Sequence, residues 1–183
     1  VRIELLRKNY EVEIRWRAFP LHPEIPEDGI SIKELFAGRN LNIEDLMIRL
    51  KMAADEVGLP FCMKEMLYNT RLAHELGKWA EEMGRGDQFH NATFHAFFQE
   101  GKNIGKVSEL IAIAESIGLS GSDAKRVLET RKFEDAVDRD WSSSYEMGIT
   151  AVPTFIIDQR VVVGAQPYEI LEKLMKLSNV KRR

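Results

Sequence analysis

Between Glu11 and Phe19 polar and apolar residues alternate one by one. Val12, Ile14, Trp16 and Ala18 fall on one face, and Glu11, Glu13, Arg15 and Arg17 on the other. A period of two is that of a strand, and the charged face predicts one wet side, as at a sheet edge. Before it, Val1, Ile3, Leu5 and Leu6 form a short helical pattern with no N-cap residue ahead of it, as if a helix were entered midway. After it, FPLHPEIPEDG (19–29) carries three prolines and predicts a structured loop.

From Ser31 to Met147 the period lengthens to three and four, and no strand pattern stands out. Ile43, Leu46, Met47, Leu50, Ala53 and Val57 line one helical face, with Asn42 and Asp45 as an N-cap signal. Leu72, Leu76, Trp79, Ala80 and Met83 line a second, ended by Gly84. Val107, Leu110, Ile111, Ala114 and Ile117 line a third before Gly118. Ser122 is the expected cap of a short helix through Leu128, and Phe133, Ala136 and Val137 begin the last helix of the block.

After Gly148 the period returns to that of strands. Thr154 to Ile157 and Val161 to Val163 are β-rich runs split by Asp158, Gln159 and Arg160, which predicts an antiparallel hairpin. Pro167 then opens a helix bearing Ile170, Leu171, Leu174 and Met175. The predicted organisation is one unit from residues 1–30 and 148–183, with a helical insertion at 31–147.

Composition narrows the function classes. With 183 residues, 44% of them hydrophobic, the chain is long enough to bury a core. A net charge of -3 and a pI near 5.9 offer no electrostatic footprint for nucleic acid. No apolar run reaches the ~20 residues of a membrane span, and VRIELLRKNYEVEIRW has no basic region followed by an apolar block. A cytoplasmic location is the expectation. The single cysteine, Cys62, excludes an internal disulfide and a cysteine-based metal site within this sequence. Residue 1 is valine where a natural start has methionine, so the expectation is a processed chain or one whose beginning lies upstream.

Three stretches carry a family resemblance: RWRAFPLHPEIPEDG, NTRLAHELGKWAEEMG and, most specifically, GITAVPTFIIDQRVVVGAQP. Together they resemble the DsbA family of thioredoxin-like oxidoreductases, in particular its FrnE-like branch, which is related to the 2-hydroxychromene-2-carboxylate isomerases. The resemblance implies an α/β, thioredoxin-like fold with a large all-helical insertion. It also implies a first, central strand followed by Cys-x-x-Cys at the start of the first helix. Val1 to Asn9 matches only the remainder of that helix, so strand and motif are expected just upstream of Val1. Without that central strand, Glu11 to Phe19 and the hairpin keep unpaired backbone groups, each costing about 1–3 kcal/mol when buried.

Among candidate site residues Pro153 is the sharpest. The resemblance implies that Pro153 is a cis-proline, and that the backbone of Ala151 and Val152 before it pairs with an incoming peptide or with glutathione. That is substrate capture by β-augmentation. Cys62 reads as a nucleophile only if a helix terminus or Lys64 lowers its pKa; otherwise it is a small core filler. His22, His74, His90 and His95 show no metal-ligand spacing, and the sequence calls for no metal and no cofactor. Phe89, Phe94, Phe97 and Phe98, with Met63, Met66 and Met83, form either core or an apolar groove. Asn69, Thr70 and Arg71 open a helix and are read as its cap, although the resemblance implies that this helix faces the cleft.

Three functions follow as alternatives. The first is thiol–disulfide exchange on a protein or glutathione-like substrate, its catalytic cysteines lying upstream of Val1. The second is a glutathione-dependent isomerase or transferase; relatives of that kind carry Ser-Asp where this chain has Ala165 and Gln166 after Gly164. The third is a redox-silent module that keeps the proline groove for binding.

Overall fold

The computed structural model describes residues 2–39 and 41–183; Val1, assigned above to the first helical pattern, lies outside the described residues. The chain divides into two compact units, Val1–Leu21 with Asp140–Arg183, and His22–Arg139.

The first unit opens with α1 (Arg2–Asn9) and closes with the hairpin β3 (Thr154–Ile157) and β4 (Arg160–Val163), followed by α9 (Tyr168–Leu177). Leu6 and Tyr10 meet Leu171, Leu174 and Met175 of α9 in a small core, against which Phe155, Ile157 and Val162 pack from one face of the hairpin. Asn9 Nδ2 donates to the Tyr168 hydroxyl (2.7 Å), and Glu11 N donates to Lys181 O (2.9 Å), so the two ends of the unit are stitched together.

The strand expected over Glu11 to Phe19 is not formed as a ladder. Tyr10 makes an isolated bridge to Arg182, and beyond it the segment runs without regular pairing. The period-two pattern survives as alternating exposure from Glu11 to Ala18. What the segment lacks among the described residues is a partner strand. Its far end is fixed instead by Asp140, 3% exposed, whose carboxylate accepts from Arg17 Nη1 and from Ala18 N, both at 2.9 Å.

The second unit is largely helical: α2 (Ile32–Leu35), α3 (Ile43–Glu56), α4 (Arg71–Glu82), α5 (Gly86–Phe94), a π-helical turn (His95–Gln99), α6 (Val107–Ser116) and α7 (Gly121–Glu129), before α8 (Glu134–Glu146) begins. Asn42 caps α3 by accepting from Glu44 N and Asp45 N. The cap of α7 is Ser120, not Ser122: its hydroxyl accepts from Asp123 N, and Ser122 lies inside the first turn. Helical periodicity also hid a two-residue antiparallel ladder between β1 (Ile30–Ser31) and β2 (Met66–Leu67), too short to show a period of two.

The core of this unit is built on α4. Ala73, Leu76, Trp79 and Ala80 meet Phe89, Leu110, Ile113, Ala114, Ala124 and Leu128. Inside it lies a charge: Glu75, 1% exposed, accepts from Arg71 Nε (2.8 Å), Arg131 Nε (2.8 Å) and Arg131 Nη2 (2.6 Å). Arg71 is shared with Asp138 at 2.7 Å. Burial alone would raise the Glu75 pKa, but its hydrogen bonds to Arg131 and then Arg71 outweigh burial and hold it below the ordinary carboxylate value. Among the described residues, no helix is long and apolar enough to cross a membrane.

Candidate functional site

The hairpin is closed by two residues, Asp158 and Gln159, with Asp158 in the left-handed region at φ 54°. Pairing runs Ile157↔Arg160, Ile156↔Val161, Phe155↔Val162 and Thr154↔Val163. Residues flanking a two-residue loop exchange main-chain bonds, and bonding then alternates along an antiparallel pair. Ile157 and Phe155 therefore bond to β4, and one step further Gly164 N donates to Pro153 O at 2.7 Å. Gly164 sits at φ 88°, a conformation that an L side chain resists, and there the chain leaves the ladder.

The same alternation turns the N–H and C=O groups of Thr154 and Ile156 away from β4, and Val152, in the bend before the strand, makes no main-chain hydrogen bond among the described residues. The sheet has two strands among the described residues, so no strand meets them there. Val152 is 45% exposed, and Ala151 is half-buried with its carbonyl already accepting from Thr154 Oγ1 at 2.6 Å. The peptide bond between Val152 and Pro153 is cis, and Pro153 is exposed. Ala151, Val152 and Pro153 are thus contiguous with an open strand edge, with Val152 bringing an unengaged main-chain donor and acceptor.

The turn after β4 keeps its polar groups to itself. Gln166 Nε2 donates to Val163 O (2.9 Å), Gln166 N to Gly164 O (2.8 Å), and Arg2 Nη1 to Ala165 O (3.1 Å).

The other candidates lie in the second unit and do not converge. His22 is within 3.2 Å of Glu24 and stands edge-on to Phe36, a turn residue. His74 is on α4, His90 lies 3.5 Å from Glu81, and His95 lies 3.1 Å from Glu100. Among the described residues no group of three or more His, Cys, Asp or Glu side chains is placed to hold a metal ion. Asn69 caps α4 by accepting from Arg71 N at 2.9 Å, whereas the Thr70 side chain makes no cap bond. Met66 is in β2; Met63 and Met83 are exposed. The phenylalanines separate: Phe89 is core and Phe97 packs against it, while Phe94 and Phe98 are exposed.

Cys62 is half-buried, with its N–H donating to Phe98 O at 2.7 Å. Two residues on, Lys64 has its amine buried without a hydrogen-bond partner. Sequence reasoning weighed Lys64 only as a cation beside Cys62, because nothing local distinguishes a lysine whose amine will be covered by rings more than thirty residues away.

Comparison with known proteins agrees with this architecture. The DSBA-like thioredoxin domain family matches residues 1–176. Bacillus subtilis YwbO is 33% identical over 178 residues, spanning 96% of this chain and 86% of that protein. The crystal structure of the probable DsbA oxidoreductase SCO1869 from Streptomyces coelicolor superposes with a TM-score of 0.84 at 25% identity, over 92% of this chain and 76% of its own. A 2-hydroxychromene-2-carboxylate isomerase shares the fold, with a TM-score of 0.72 at 20% identity over 96% of this chain and 86% of its own.

Proposed function

This chain belongs to the DSBA-like thioredoxin domain family, and on that premise we propose that it is a thiol–disulfide oxidoreductase whose substrate is held along Ala151, Val152 and Pro153. The observation that carries this reading is the exposed main chain of Val152 beside Pro153 at the head of β3. Val152 makes no main-chain hydrogen bond among the described residues, and an extended peptide pairs with such groups irrespective of its side chains.

The reacting cysteines of this proposal stand upstream of Val1, at the start of the first helix, after a strand that takes the Thr154 and Ile156 positions and leaves Val152 to the substrate. A thiolate of that pair attacks one sulfur of the substrate disulfide; a new S–S bond forms and the other substrate sulfur departs as thiolate. The second protein cysteine, as thiolate, then attacks the mixed disulfide. The substrate leaves reduced and the protein is left oxidised, so electrons balance without a cofactor. Cys62 takes no part. The partner is a disulfide- or thiol-bearing protein or a glutathione-like molecule.

The isomerase alternative needs polar groups after β4 to hold glutathione. The internal bonding of Gln166 and of the Ala165 carbonyl weighs against it.

Insulin reduction by dithiothreitol tests the reading on the protein with its natural N-terminus. The expected result is precipitation of insulin B chain well before the dithiothreitol-only control. A trace that follows the control overturns the redox assignment; binding of glutathione without turnover would favour the isomerase, and neither activity the redox-silent module.

A further inference from the structure

The bend from Ala151 to Pro153 uses much of its own main chain before a substrate arrives. Pro153 has no N–H to give, and its carbonyl accepts from Gly164 N at 2.7 Å. The Ala151 carbonyl accepts from the Thr154 hydroxyl at 2.6 Å, toward the short end of the range for such bonds. Val152 alone keeps both its N–H and its carbonyl unengaged among the described residues, and it is 45% exposed.

An incoming strand that exchanges two bonds with one residue, as in the bonded pair of an antiparallel ladder, needs a donor and an acceptor on that same residue. Pro153 lacks the donor. Ala151 is half-buried, and its acceptor is already occupied by the hydroxyl. What selects Val152 over its neighbour is therefore a side chain, that of Thr154. Phe155 and Ile157 turn into the small core, so alternation along β3 puts Thr154 on the other face. Its branching at Cβ restricts the hydroxyl to few directions, and the bond reaches back three residues to tie Ala151 to the head of the strand.

We propose that Thr154 is a positioning residue of the substrate site: its hydroxyl, by occupying the Ala151 carbonyl, holds the bend so that an incoming peptide pairs with Val152 and not one residue earlier. This role rests on the redox reading above and adds to it a register, set by a residue that does not itself touch the substrate.

The test uses the protein with its natural N-terminus: initial rates of insulin reduction by dithiothreitol, followed by chromatography over a range of insulin concentrations, for wild type, Thr154→Val and Thr154→Ser. Valine keeps the branched shape and loses the hydroxyl; serine keeps the hydroxyl. Thr154→Val is expected to raise KM about fivefold, the worth of one neutral hydrogen bond, with kcat within about twofold. Thr154→Ser is expected to return KM to within about twofold of wild type. An unchanged KM in Thr154→Val overturns the proposal, and so does a fall in kcat alone, which is what a merely structural loss produces. Thr154→Ser behaving like Thr154→Val would assign the effect to the methyl group and also overturn it. An inactive wild type removes the redox reading and this role together, whereas an active wild type whose KM ignores Thr154→Val removes this role alone.

Discussion

The two units solve the problem of polar groups in opposite ways. In the second, the carboxylate of Glu75 is buried under a helical core with both oxygens accepting from arginines, three bonds in all from Arg71 and Arg131. In the first, the exposed Val152 makes no main-chain hydrogen bond among the described residues, beside a small core of two helices and a hairpin. A closed polar network rigidifies; an open strand edge is a binding surface, at the risk of unwanted pairing. The contrast sets a closed, buried network in the helical unit against the exposed main chain of the hairpin unit, where the proposal places the substrate.

Truncation of equivalent leucines is the strongest way to break this contrast. Leu76, fully buried in the larger cluster, is expected to cost about 4 kcal/mol when changed to Ala, because close packing on all sides prevents collapse around the void. Leu171→Ala, in the smaller cluster with 1% exposure, is expected to cost about 3 kcal/mol. Urea denaturation checks both, and a larger loss at Leu171 would show that the smaller cluster holds its leucine the more tightly.

Glu75→Gln keeps the shape and removes the charge. A loss of about 3 kcal/mol is expected, at the lower end for breaking a buried pair because Arg131 reaches water and Arg71 keeps Asp138. The pH dependence sharpens it. Glu75 has a folded pKa below its ordinary 4.5, so its contribution is fully present above that value and is lost as pH falls through the folded pKa. The wild-type protein is therefore expected to lose stability below about pH 4.5 more steeply than Glu75→Gln, as read by denaturant midpoints across pH 2–6. Parallel curves would show that the network carries no pH-linked stability.

In the hairpin unit, Asp140→Asn removes the charge that accepts from Arg17 and from Ala18 N, with an expected cost of about 2 kcal/mol and increased amide exchange at Ala18. The smallest effect expected is that of Gly164→Ala. A side chain at φ 88° is strained by about 1–2 kcal/mol, with the hydrogen bond to Pro153 O the first casualty, visible as faster exchange at residue 164.

Much of this architecture was legible in the sequence because it rests on local periodicity. The helices around Leu46, Leu76 and Leu110, the Asn42 cap and the hairpin at Thr154 to Val163 all fall where their periods place them, although Leu50 and Ala53 of the first predicted stripe and Met83 of the second are exposed. The fold family was legible in the residues around AVPTF, and the family match now shows it. Illegible features depend on distant partners. Alternation at Glu11 to Phe19 specifies an extended segment but cannot supply a neighbouring strand. Ser120 and Ser122 are both competent caps, and only the fold selects Ser120. Glu75 and Lys64 look like solvated charges in the sequence, and each is buried by residues from other elements.

The most direct measurement is amide exchange at Val152 in the protein with its natural N-terminus, before and after addition of a disulfide-bonded polypeptide such as intact insulin. The account expects fast exchange at Val152 alone, with Phe155 and Ile157 already protected by β4, and clear slowing at Val152 once the peptide is bound. Exchange at Val152 that is slow from the outset, or unchanged by the peptide, would contradict the assignment of this edge to substrate.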